Sequence, residues 1–207
     1  DNEDDKDNEE DKDNEDDKDN EDDKDNEGDK PQPSAPVEET DSLVGEWVGT
    51  IDMAEMLNML FESADMDFMT ISKFKVEMRV EFKKNGNFAM ELDEDSFWKA
   101  LNDAMPDMVS DLEGYLEANG VTAEDFEAQN GMTIEEYLTT YYEASLSPDI
   151  LNSNGKYTLD GTKLYMDEED NYYLIDLTGD ELQLLSYSGD DGGLNDMLFG
   201  DVVFKRQ

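Results

Sequence analysis

The sequence predicts a mainly β protein: an antiparallel meander or barrel of about eight short strands, carrying a helical insertion at about 95–148 and preceded by a disordered acidic tail. Three observations predict it. Apolar residues alternate with polar ones in short runs between Leu43 and Leu92 and again after Pro148, with glycine-bearing turns between the runs. From residue 95 to about 146 the period becomes helical. The first thirty residues hold no large apolar side chain at all.

Composition sets the outer limits. The chain has 207 residues, with 58 Asp and Glu against 15 Lys and Arg, a formal charge of -43, and neither Cys nor His. That length suits one domain with an appendage. No apolar run reaches the roughly 18 residues that a helical membrane span needs. Duplex nucleic acid is a polyanion and would be repelled, so it is excluded as a general partner. Without Cys or His there is no thiol nucleophile, no His-dependent triad and no zinc site of the usual nitrogen or sulfur type.

Residues 1–30 are five hexapeptides, DNEDDK, DNEEDK, DNEDDK, DNEDDK and DNEGDK, with 19 acidic and 5 basic side chains. Nothing in them could offset the entropy lost on ordering, and their mutual repulsion extends the chain. The stretch PQPSAPVEETDS continues it, so 1–42 is expected to be a disordered tether and 43–207 the folded domain. A solvated spacer competes with weak calcium binding or polyanion mimicry, although the full spacing of a calcium loop is absent. No metal site and no cofactor are expected.

In the folded part, Gly45-Glu46-Trp47-Val48-Gly49 opens a first strand. Met53, Met56, Leu57 and Leu60 follow at helical spacing. Phe74, Val76, Met78, Val80 and Phe82 alternate strictly with charged residues, Asn85-Gly86 supplies a hairpin turn, and Phe88, Met90 and Leu92 continue on the returning strand. Ser96 can cap a helix carrying Phe97, Leu101 and Met105, and Pro106 suits the first turn of another with Met108, Leu112 and Tyr115. Asn119-Gly120 ends it. Thr122 and Thr133 each precede an acid by three residues, the capping pattern for two further short helices. After Pro148, strands are expected at 155–159, 162–166, 172–177, 181–187 and 201–205, with a flexible loop at 188–193.

These residues together resemble a bacterial lipocalin-like domain of the calycin type. The resemblance rests on Gly45-Glu46-Trp47, on the hairpin Phe82 to Phe88, on Gly155 to Leu164, on Asp180 to Leu184 and on the closing Val203-Phe204-Lys205-Arg206. It covers most of 43–207 apart from the helical stretch, where family members usually have short connections. It implies a meander barrel with Gly45 and Trp47 structural at the closed end and Arg206 packed as a cation over the indole. It also implies that Phe74, Val76, Met78, Val80, Phe88 and Met90 face the interior, either as plain core or as the lining of a small apolar ligand cavity. An acidic spacer ahead of a Cys-free domain is similar to the region after the lipid-bearing Cys of bacterial surface lipoproteins. The expected setting is therefore extracellular, tethered through an upstream lipid anchor or secreted, as a monomer.

Two functions remain open from the residues. One is a non-catalytic module binding a small apolar or amphipathic ligand in the barrel. The other is a solid barrel whose helices present Tyr115, Tyr137, Tyr141 and Tyr142 to a surface protein. The clustered methionines, among them Met53, Met66, Met69, Met105 and Met132, read either as loose core or as an adaptable lid formed by 53–69 with 97–146. No catalytic constellation is expected: no phosphate loop, no nucleophile elbow, and no carboxylate pair that stands out among 58 acids.

Overall fold

The computed structural model describes residues 42–167, 170–190 and 192–207, so the expected disordered tether lies outside the described residues except for Ser42. Eight strands form: β1 Gly45–Asp52, β2 Lys75–Phe82, β3 Asn87–Leu92, β4 Ser153–Asp160, β5 Lys163–Met166, β6 Tyr173–Thr178, β7 Glu181–Tyr187 and β8 Val203–Arg206. Each pairs antiparallel with its neighbours in sequence, and β1 also pairs with β8, which closes the sheet as an up-and-down barrel. Closure leaves no free strand edge to template aggregation. Helix α1, Ala54–Ser63, follows β1. Between β3 and β4 lie α2 Glu94–Ala118, α3 Ala123–Asn130, α4 Ile134–Ser145 and a 3-10 turn Pro148–Leu151. Helix α5, Gly192–Phe199, precedes β8.

The alternation in the sequence becomes the wall of this barrel. In β2, Val76, Met78, Val80 and Phe82 are buried while their neighbours reach solvent or stay half-buried. β1 and β2 pair from Gly45 opposite Phe82 to Asp52 opposite Lys75. The β2–β3 turn differs in detail from a two-residue Asn-Gly hairpin. Lys84 and Asn85 occupy its centre, the Gly86 amide donates to the Lys83 carbonyl at 3.0 Å, and Gly86 takes a left-handed φ of 78°. That is a type I turn closed by a glycine bulge, a geometry a side chain would strain.

The inward side chains of all eight strands meet in one core. Trp47, Met78, Leu164 and Phe204 have at most 1% of their surface exposed. Phe82 meets Tyr157 edge-on with ring centroids 5.0 Å apart. At one end the Trp47 indole donates to the Leu43 carbonyl at 2.8 Å and lies under the Arg206 guanidinium, 4.4 Å from the ring centre. Arg206 also donates to the carbonyls of Val44 and Ser42 and faces the Asp180 carboxylate at 3.6 Å. Gly45 runs past that guanidinium with a φ of 143°, a backbone conformation that residues with side chains rarely adopt. One cation thus ties both ends of the barrel chain to each other.

Several local expectations are corrected. Phe74 precedes β2, with its amide bonded to the Asp52 carboxylate, and packs edge-on to Phe97 of α2 at 5.4 Å. Asp93, not Ser96, caps α2, accepting from the Ser96 amide at 2.8 Å. Ser96 instead accepts from the Glu77 amide of β2 at 2.9 Å, pinning the helix to the barrel. Pro106 does not begin a new helix but lies inside the single 25-residue α2. It is tolerated because it falls on the exposed face, between buried Met105 and Met108. Leu60 is exposed, and Phe61 takes the buried position with Met56 and Leu57. The expected loop at 188–193 runs into α5, whose Asp196 carboxylate accepts from the Tyr187 amide while Leu198 and Phe199 enter the core.

Candidate functional site: an aromatic cleft on the helical insertion

Local rules set the insertion's shape. After α2, Gly120 turns left-handed, its amide donates to Glu117 and that of Val121 to Leu116, the paired bonds of a Schellman stop. Thr122 and Thr133 then form full capping boxes with Asp125 and Glu136, as their spacing predicts. The Thr122 hydroxyl and amide hold the Asp125 carboxyl below its usual pKa. α3 buries none of its residues, whereas α4 buries Ile134, Leu138 and Tyr142, one residue per turn. That stripe seats α4 on α2.

A third wall comes from the segment between α1 and β2. The Asn58 side chain accepts from the Ile71 amide at 2.8 Å and donates to its carbonyl at 3.0 Å. Asp111 of α2 accepts from the Thr70 amide at 2.9 Å. So fixed, Met66, Phe68 and Met69 face Leu112 of α2 and Tyr137, Leu138, Tyr141 and Tyr142 of α4 across an apolar cleft of about 280 Å³.

The rings around the cleft are ordered against each other. Phe68 stacks on Tyr115 with centroids 4.1 Å apart. Tyr137 and Tyr141 lie nearly parallel at 6.5 Å, Phe126 meets Tyr137 edge-on at 5.4 Å, and Tyr141 meets Tyr142 edge-on at 5.2 Å. Tyr115, Tyr137 and Tyr141 keep 46%, 40% and 42% of their surface exposed. Tyr142 does not belong with them: it is 2% exposed and its hydroxyl donates to the Met69 sulfur at 3.4 Å.

Burial and the neighbouring Tyr141 and Tyr137 push the Tyr142 hydroxyl up to about 12 from the usual 10.0. The raised value fixes the sign of a pH effect. The unfolded chain loses this proton first, so the stabilisation is complete below pH 10.0 and is lost as pH rises toward about 12. Urea unfolding followed through that window is expected to show Tyr142→Phe losing less stability than the parent; equal losses would place the alkaline sensitivity elsewhere.

The residues expected to line a barrel cavity lie apart from this cleft. Phe74, Val76, Met78, Val80 and Phe88 are buried in the continuous core, and Met90 is half-buried against it. A second, more polar cleft of about 390 Å³ brings Lys73, Lys75 and Lys99 together with Asp103 and Asp107. Among the described residues, no three carboxylates converge as a metal site would need. The sequence brought 53–69 and 97–146 together as a possible methionine-rich lid, and named Met66, Met69 and the tyrosines. It gave no sign of Phe68, Leu112 and Leu138 as walls, because their contacts join segments more than twenty residues apart.

Charge divides the barrel from the insertion. On the barrel, carboxylates have cations beside them: Glu46 with Arg79 at 2.7 Å, Glu81 with Lys83 at 3.1 Å, and Glu181 with Lys205 at 3.9 Å. From Ala100 to Gly155 the chain has twelve carboxylates and no lysine or arginine. No protein-family model, curated protein or solved structure matches this chain.

Proposed function

We propose that this chain is a non-catalytic interaction module, in which the barrel is a solid scaffold and the aromatic cleft is the face that meets a partner protein. The observation that carries this reading is the contrast between the two apolar regions. The interior stripe of β2 is at most 4% exposed, whereas Tyr137 and Tyr141 stand about two-fifths exposed beside an open cleft. At about 280 Å³ the cleft is at the small end of ligand pockets, which run to roughly 1,000 Å³. It suits a side chain presented by another protein. Exposed, mutually stacked tyrosines are the side chains that interfaces favour, because they offer large contact area at low entropic cost. In the same reading, residues 1–42 serve as an acidic linker between the module and a bacterial envelope.

A lipocalin-like pocket for an apolar ligand would require the side chains packed around Val76, Met78 and Phe88 to move aside. Native mass spectrometry of the full chain, joined to titration with the neutral dye Nile red, separates the two. The interaction reading expects a ligand-free mass, and dye fluorescence that Tyr137→Ser/Tyr141→Ser abolishes. A stoichiometric co-purifying small molecule, with dye binding indifferent to those substitutions, would move the function into the barrel.

A further inference from the structure

We infer that the occupant of the aromatic cleft is a short basic amphipathic segment of another protein, seated by an apolar side chain in the cleft and by lysine or arginine side chains on its rim. This rests on the reading of the cleft as the partner-binding face and adds the partner's chemistry.

Three observations point the same way. The floor, made by Leu112, Leu138 and Met69, is apolar and lacks any charged group, so it calls for an apolar anchor. The rim is aromatic: the exposed rings of Tyr137 and Tyr141 offer faces on which a cation is held electrostatically. Around them the field has one sign. The segment that forms the third wall carries exposed Asp65 and Asp67, and the chain has no cation between Lys30 and Lys73 or between Lys99 and Lys156. An acidic or neutral apolar peptide would fill the floor and leave those carboxylates unanswered. A purely cationic one would leave the floor empty.

This surface is also unlike the rest of the domain. On the barrel, the acidic side chains of β1, β2 and β7 are interleaved with Arg79, Lys83 and Lys205, which blunts the local potential. Among the described residues, the one ion pair on the insertion, Lys99 with Asp103, lies near the start of α2 and lines the other cleft. The cleft therefore combines an apolar seat with an uncompensated negative field, and fields of this kind raise association rates as well as select the partner's sign.

The test uses the full chain and four fluorescent synthetic peptides of equal length: leucine with lysine, leucine with glutamine, leucine with glutamate, and lysine alone. The leucine–lysine peptide is expected to bind at least about tenfold more tightly than the leucine–glutamine one, and to weaken as salt is raised. Tyr137→Ser/Tyr141→Ser should cost it about tenfold or more, while Tyr137→Phe/Tyr141→Phe retains the rings and the affinity. Asp65→Asn/Asp67→Asn should narrow the gap between the lysine and glutamine peptides. These residues are exposed, so the variants should stay folded, which far-ultraviolet circular dichroism checks. If all three leucine peptides bind equally and still depend on the tyrosines, the cleft is a binding face but its partner is not basic, and this inference fails alone. If the two lysine peptides bind alike and ignore the tyrosine substitutions, the attraction is bulk charge and both proposals fall. No binding by any peptide overturns both as well.

Discussion

Gly49→Val is expected to cost about 3 kcal/mol or more of folding stability, the top of the range for forcing extra atoms into a packed core. Gly49 lies on β1 with its missing side chain directed at β8. A Cβ there would meet Phe204 Cδ1 at 2.8 Å and Val202 Cγ1 at 2.9 Å. Both are buried, and β8 is the strand that closes the barrel against β1. The valine must therefore push the closing strand outward or drive Phe204 from its rotamer. Phe204→Ala alone should cost about 3–5 kcal/mol by leaving a cavity. The two together should cost clearly less than their sum, because the valine enters space the phenyl ring vacates. Urea denaturation of the four proteins measures the coupling. Strict additivity would mean that the seam is not where the strain arises.

The second large effect has the opposite sign. Pro106→Ala is expected to stabilise the protein by about 1–3 kcal/mol, a fraction to all of what an interior proline costs a helix. Pro106 lies in the thirteenth position of α2, where its missing amide cannot bond to Asn102 and its ring crowds that carbonyl. The ring is exposed and is not part of the core, so alanine gives up little packing. Thermal and urea unfolding should both shift upward. A drop in stability instead would show that the proline shapes the curve of α2 over the barrel in a way the rest of the fold needs.

The same proline shows where local rules mislead. Read alone, Pro106 directly after the face Phe97, Leu101 and Met105 is a start signal for a new helix, and Ser96 is a cap signal. In the fold both are overridden, since Asp93 is already bonded to the Glu77 carbonyl of β2 and starts the helix there. The Lys75–Leu92 hairpin was legible because strand alternation and turn glycine are both written within twenty residues. So were the capping boxes at Thr122 and Thr133. The pairing of 53–69 with 97–146 was legible as a lid, but the walls of the cleft were not. Their defining contacts, Thr70 with Asp111 and Met69 with Tyr142, join residues 41 and 73 positions apart, and no period connects them. Tyr141 and Tyr142 show the limit in miniature: adjacent in sequence and both lining the cleft, they differ by about 100° around α4, so that one stays two-fifths exposed and the other is buried. Composition called both aromatic; only the helix phase against α2 separates them.

The Arg206 clamp has a mechanical consequence. Ser42 and Val44, whose carbonyls it holds, enter the barrel beside Phe82 and the Gly86 turn. α2 leaves from the other end, beyond Leu92, where Asp93 bonds to Glu77. Tension applied at Ser42 and resisted at the helices would thus run lengthwise along β1, β2 and β3. Their hydrogen bonds lie across that direction and would share the load in shear, instead of parting one after another as in a peeled hairpin. A barrel connected this way would resist such a pull along its strands instead of unzipping from one edge.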